Sequence, residues 1–393
     1  MVSLNGSNGG TTLRPVVARV AVAAIFGLNG FVLANWFARI ADAKARLALS
    51  DGMLGFVLLF AAIGALIGQP TTGWLIARFG SQRITTMLAL IFSGTLAPLG
   101  LASDAPQLMA ALFLMGFFNG GLDVAMNAQA ALIEKEYHQP IMASFHGLWS
   151  VGGLLGALTG GALVAQGFAL NTHMLIAAGF SLVGMLIATR WLVTDVSNHT
   201  ADGGPSFALP PPALMLLGAV AFGVLFCEGA IADWSGVYLR EGLGSPAGLA
   251  ASGYAVFALM MAIGRLTGDW LTIKLGAGRI TRGGGALVAI GVGLAVITGD
   301  PIMAIIGFGL IGAGISCVFP LILSAAARTP GTAPGIAIAA MATSGYTGFL
   351  VGPPLIGSLA EALSLRGALG VLGVLGVLIL AFGGAVEPKH TDA

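Results

Sequence analysis

Four ionisable side chains stand inside apolar stretches: Asp123 in GFFNGGLDVAMNAQ, Glu228 and Asp233 in FCEGAIADWSGVY, and Arg265 in MAIGRLTGDW. An ionised group at the centre of a bilayer costs about 2.5–3.5 kcal/mol on insertion scales, so each one kept there asks for a reason. Carboxylates in such a place can exchange a proton, pair with a cation or accept hydrogen bonds from a polar solute. Asn119, Asp123 and Asn127 recur at i, i+4 and i+8 and form one polar stripe along a helix. Glu228 lies near the middle of its run beside Cys227 and Gly229, with no cation within one turn, and is the first candidate for a coupling carboxylate. Asp233 reads either as a second cavity group or as an interfacial residue. Arg265 and Asp269, at i and i+4, read as a local ion pair or as part of a gate. His146 in SFHGLWSVGG reads as a proton relay or a structural hydrogen-bonder, and Trp149, three residues on, as a stacking surface for a solute or as core filling.

The elements that carry these residues must lie in lipid. Hydrophobic residues make up 57% of the 393 and charged residues 8%, and the mean hydropathy is +0.94; that leaves too little polar surface to coat a water-soluble globule. A net charge of +1, with 17 Lys and Arg scattered singly, gives no nucleic-acid footprint. Cys227 and Cys317 lie in apolar runs and read as small hydrophobes; no metal-ligand cluster surrounds them. No catalytic triad, phosphate loop of the form GxxxxGK[ST] or cofactor site is found, so the reading is a non-enzyme that uses no ATP directly. GFGLIG at 307–312 sits inside an apolar span with no preceding strand and is not a dinucleotide site.

A helix needs about 20 residues to cross the hydrocarbon core. Apolar stretches of that order fall near 16–38, 52–77, 84–103, 106–133, 141–166, 171–193, 212–238, 247–273, 280–299, 301–327, 333–361 and 364–386, twelve in all. The first is longer than a signal-peptide core and reads as a span. Breaks are marked by ADAKARLALSD at 41–51, SDAP at 103–106, EKEYHQP at 134–140, REGLGSPAG at 240–248, GDP at 299–301 and RTPGTAPG at 328–335. The longest break divides six spans from six and gives domains of 1–193 and 212–393 joined by a linker, 194–211. Tryptophans 36, 74, 191, 234 and 270 fall near span ends, which predicts interfacial anchoring.

The two halves repeat each other. GQPTTGWLIARFG at 68–80 returns as GRLTGDWLTIKLG at 264–276, an offset of 196, and GGLLGALTGGAL at 152–163 returns as GFLVGPPLIGSL at 348–359 at the same offset. The small residues of the second pair predict close helix packing, with sliding surfaces between the halves as the functional alternative. An even number of spans per half gives both copies one orientation, a parallel repeat. With both termini in the cytoplasm, the inner segments carry Arg14, Arg19, Arg78, Arg83, Lys135, Arg190, Lys274, Arg279, Arg282, Arg328 and Lys389, against Arg39, Lys44, Arg46, Arg240 and Arg366 outside.

The chain resembles the major facilitator superfamily. The family signature between helices 2 and 3, roughly G-x-L-a-D-R-x-G-R-R, is met by Gly73, Leu75, Arg78, Gly80 and Arg83, with Ala77 at the acidic position and Ile273 in the second copy. LDVAMNAQ, SFHGLWSVGG, GISCVFP and GYTGFLVGPPLIG are similar to a bacterial inner-membrane branch related to fucose-permease-like sugar transporters and a membrane protein of rhizopine gene clusters. The helix 4 arginine of drug/proton antiporters has no counterpart here, and Ala157 stands in place of their helix 5 proline.

The resemblance implies an all-α membrane protein in which two six-helix bundles surround a cavity lined by helices 1, 4, 7 and 10. That would bring Asn29, Asp123, Glu228, Asp233 and Ser316 together, with Asn119 and Asn127 on the same stripe and His146 and Trp149 nearby. It further implies a gate built on Arg78, Arg83, Lys274 and Arg279, with Arg265 and Asp269. The expected function is secondary transport of a small polar solute, sugar-like or a related organic compound, coupled to protons, by a monomer in the bacterial inner membrane, without cofactor or nucleic acid. A drug/proton efflux antiporter is the alternative, and a non-transporting sensor or scaffold the reading from a different class.

Overall fold

The structure, a computed structural model, describes residues 15–137, 141–194 and 208–387. Most of the expected linker and both termini therefore lie outside the described residues. Among the described residues twelve helices are long and apolar enough to cross a membrane. They are α1 Val16–Arg46, α2 Asp51–Phe79, α3 Ser81–Leu101, α4 Ala105–Tyr137, α5 Ser144–Ala165, α6 Leu170–Trp191, α7 Pro212–Gly242, α8 Ala247–Leu275, α9 Ala277–Ile297, α10 Pro301–Ala327, α11 Pro334–Leu363 and α12 Leu365–Val386. In lipid every backbone polar group must be satisfied within its own segment, which makes the apolar runs helical.

The breaks between the helices are shorter than the sequence implies. ADAKAR does not interrupt α1, which turns at residues 38–39 and continues as Ile40–Arg46. The polar bonds of Arg39 and Lys44, described below, hold this extension. At the far end α7 closes in a single π-turn, Tyr238–Gly242.

Several boundaries and packing contacts recur at the offset of 196. Gly80 (φ +82°) ends α2 and Gly276 (φ +85°) ends α8, both in the left-handed region that only glycine enters cheaply. In the first half α1 packs on α5 and α2 on α4; in the second, α7 packs on α11 and α8 on α10. A Cβ on Gly152 would lie 1.8 Å from the Gly27 carbonyl oxygen, and one on Gly116 1.9 Å from that of Ala61. Their counterparts, Gly348 and Gly312, press on the carbonyls of Phe222 and Phe257. Backbones this close gain the van der Waals contact that replaces hydrophobic drive between helices in lipid.

The halves meet through α2 with α11 and α5 with α8. Gly55 of α2 packs on Pro353 and Gly357 of α11, and Gly161 of α5 approaches Ala251 of α8. The repeated glycine segment thus packs helices inside each half at one end and joins the halves at the other. The glycines of GFGLIG pack helices too: Gly307 on Gly291 and Gly312 on Phe257.

Apolar side chains such as Phe180, Val183, Val374 and Val377 point outward, as lipid-facing positions should. Trp74 and Trp270 are also exposed. Trp36 and Trp234 are not interfacial anchors: they are 1% and 0% exposed and belong to the packed interior.

Candidate solute cavity and interhalf contacts

A cavity of about 950 Å³ lies between the halves. Its wall is built by α1, α4, α7 and α10, as the resemblance implies, and by α2, α5, α8 and α11 as well. Asn29, Asn119, Asp123, His146, Trp149, Glu228, Asp233, Arg265, Asp269 and Ser316 all line it. Asn127 does not. Its side-chain amide turns back to donate to the Asp123 carbonyl at 2.8 Å and the Asp123 carboxylate at 3.2 Å, so the stripe on α4 ends in a support for Asp123.

Polar side chains from five helices join into one chain. Asn29 Nδ2 on α1 donates to Asn119 Oδ1 on α4 at 2.9 Å, and Trp149 Nε1 on α5 donates to Asn29 Oδ1 at 2.8 Å. The Arg265 guanidinium of α8 lies over the Trp149 ring, 5.7 Å from its centroid. Arg265 Nη1 donates to Ser150 Oγ at 3.0 Å, and Nη2 stands 3.5 Å from Glu228 Oε1 on α7. Trp149 is therefore committed on both its polar edge and its face.

This placement corrects one reading of Arg265. Among the described residues it does not pair with Asp269, which is exposed; its partner is Glu228, 37 positions back in sequence. Arg265 also lines the cavity. No periodicity on one helix reveals such a pair, because the two residues come from neighbouring helices.

Gln69, Tyr254 and Tyr346 also line the cavity and were missed as ordinary residues of α2, α8 and α11. Gln69 is the repeat counterpart of Arg265 and Tyr346 that of Ser150. Tyr346 makes a side-chain hydrogen bond with Gln69. The contact from α8 to α5 thus recurs from α2 to α11, a signal that the 196-residue offset does carry.

A second polar network closes one face, the face of the α1–α2 and α7–α8 connections. Asp42 accepts from Arg39 of its own half at 2.7 Å and from Arg240 of the other half. Lys44 pairs with Glu241 across the halves and with Asp51 at 3.1 Å within its own. Glu361 at the end of α11 accepts from Gly52 N at 2.6 Å and Ser50 Oγ at 3.1 Å, covering the N-terminus of α2. His173 Nδ1 accepts from Arg39 Nε at 2.8 Å, which leaves Nε2 to donate to Asn35 Oδ1 at 2.7 Å. Lys44 and Arg240 are repeat counterparts, so each half sends one cation across to the other.

On the opposite face, that of the chain ends, Arg78, Arg83, Lys274 and Arg279 are exposed and make no ion pair among the described residues. Arg78 lies over the Trp74 ring at 5.7 Å and Lys274 over its counterpart Trp270 at 4.0 Å. The cavity lining extends toward this face through Met142, Asp269, Thr272 and Thr343.

Two six-helix halves, a polar cavity between them and ionic contacts that join them across one face are the arrangement of a membrane transporter. The chain belongs to the Major Facilitator Superfamily, whose model matches residues 16–334. It is 36% identical over 369 residues to an uncharacterized MFS-type transporter of Yersinia pestis, covering 94% of this chain and 95% of that one. It is 33% identical over 352 residues to the membrane protein MosC of Rhizobium meliloti, covering 89% and 85%. The crystal structure of nucleoside transporter NupG superposes with a TM-score of 0.74 over 95% of this chain and 100% of that one, at 12% identity, a likeness of fold. The chain is accordingly a multi-pass transporter of a solute.

Proposed function

We propose that this transporter carries a small polar solute by alternating access, driven by a proton gradient, with Glu228 as the coupling carboxylate. The observation that carries the reading is that Arg265 binds Glu228 in its own half and Ser150 in the other. An ionised Glu228 holds the guanidinium. A proton on Glu228 removes that attraction and leaves Arg265 to Ser150 and the Trp149 face. The arrival of a proton therefore changes a contact between the halves, the kind of differential interaction a population shift needs.

The arginine and lysine bias supports a bacterial inner-membrane orientation with the terminal face in the cytoplasm. The sealed face is then external, and the conformer is inward-open. Arg78, Arg83, Lys274 and Arg279 serve the opposite closure in this reading.

The test is transport in proteoliposomes under an imposed proton gradient. Glu228→Gln is expected to abolish accumulation while sparing solute exchange, and Glu228→Asp to keep part of it. Accumulation by the Gln variant with an unchanged pH profile would make Glu228 structural and pass the coupling role to Asp123.

A further inference from the structure

The charges that face the cavity do not balance. Among the described residues Asp123, Glu228, Asp233 and Asp269 line it, against Arg265 as the one fixed cation. Arg265 answers Glu228, the Asn127 amide answers Asp123, and Asp269 lies exposed toward the open side. Asp233 has no hydrogen-bond or ion-pair partner among the described residues.

Its surroundings are specific. Asp233 stands on α7 toward the face sealed by the ionic network, at the closed end of the cavity, and shares that end with Phe37 of α1 and Tyr254 of α8. It lies within electrostatic range of Tyr254. The rings of Phe37 and Tyr254 meet edge to face, with centroids 5.0 Å apart. A carboxylate shielded from bulk water beside aromatic rings is a site for a cation, which gains from the charge and from the ring quadrupole together. A neutral solute would leave the Asp233 charge unanswered. An anionic one would meet repulsion from four carboxylates along its path.

Resting on the reading of the chain as a solute transporter, we infer that its solute carries one protonated amine, seated on Asp233 against the cluster formed by the rings of Phe37 and Tyr254. Phe37 belongs to one half, Asp233 and Tyr254 to the other, so a seated amine touches both halves at the end that must later open. The remainder of the solute extends toward Asn29 and Trp149.

The experiment is equilibrium binding to the purified, detergent-solubilised full chain, read by thermal shift and calorimetry. Two matched sets of probes are used: glucosamine, glucose and glucuronate for a polar body, and 2-phenylethylamine, 2-phenylethanol and 3-phenylpropionate for an apolar one. In at least one set the amine is expected to bind at least about tenfold more tightly than its uncharged and acidic partners, the factor set by one charge contact plus a cation–aromatic contact. Asp233→Asn should erase that preference, while Glu136→Gln, an exposed carboxylate outside the cavity, should retain it. Equal binding of amine and alcohol in both sets, stronger binding of the acids, no binding by either amine, or an unchanged preference in Asp233→Asn would each overturn the inference. The wild-type comparison stands even if the Asn variant does not fold. Proton coupling is judged separately, by accumulation in vesicles, so a failure of the amine site and a failure of the Glu228 reading are told apart.

Discussion

Arg265 and Gln69 occupy equivalent positions in the two halves, yet one is a cation and the other an amide. The repeat therefore supplies a bond between the halves twice, and the second copy adds a charge that Glu228 can sense. Removing the cation leaves Glu228 as an unpaired carboxylate in a poorly solvated wall, and removing the carboxylate leaves an unpaired guanidinium. Arg265→Gln and Glu228→Gln are each expected to lower stability, and the double variant to recover part of the loss. The coupling from a double-mutant cycle of thermal unfolding should be about 0.5–3 kcal/mol, the range for residues in contact. Strictly additive losses would mean that the pair is too solvated to matter. The charged residues of the cavity were legible because an ionisable group in an apolar run is costly and so conspicuous, whereas Gln69, Tyr254 and Tyr346 gave no such signal. Their pairing was not, because 3.6-residue periodicity reports one helix at a time and Arg265 bonds to its neighbours' helices. For the same reason Trp234 read as an anchor: distance along the chain from a span end says nothing about whether a partner helix covers the ring.

At the scale of the helix, glycine decides how near two backbones come. Gly116 and Gly312 hold α4 against α2 and α10 against α8, with an added Cβ meeting main-chain oxygen at 1.9 and 2.4 Å. Main chain cannot rotate away as a side chain can. Gly116→Ala and Gly312→Ala should each destabilise by about 1–3 kcal/mol, the usual cost of overpacking, seen as a lowered thermal midpoint in detergent. Gly283→Ala, where nothing lies within 4 Å, is the control and should be near neutral. The helices and their number were readable from hydropathy, and the paired glycines from the internal repeat. The extension of α1 through ADAKAR was not. Three charged side chains in that stretch look like a loop until Arg39 is seen to bond His173 Nδ1 and the Phe168 carbonyl, and Lys44 to pair with acidic groups of α2 and α7. Long-range bonds, absent from any local window, supply the partners that let those charges stay helical.

For the molecule as a whole, sidedness is the first thing to measure. In a background lacking Cys227 and Cys317, Lys135→Cys and Ser103→Cys are both exposed positions at opposite helix ends. They are expected to react with a membrane-impermeant maleimide from the cytoplasmic and the external side respectively; labelling of both from one side would remove α4 as a membrane span. Weakening the sealed face is the second test. Asp42→Asn with Lys44→Gln deletes both cross-half ion pairs, and spin labels at Ser103 and Thr298 should then report a longer, broader distance distribution at that face; an unchanged distribution would show that helix packing alone keeps it shut. Among the described residues the two faces differ in this conformer, with ion pairs across the halves on one and exposed cations resting on tryptophan rings on the other. An empty carrier with such a bias spends most of its time open to one compartment. A solute arriving from the other side meets a competent site in only a small fraction of molecules, and its apparent affinity falls by that fraction, about a hundredfold if the outward-open form is about 1% of the total. The half-saturation concentration measured from outside should therefore be much higher than that from inside, and the ion pairs between Asp42, Lys44, Arg240 and Glu241 would set the ratio without ever touching the solute.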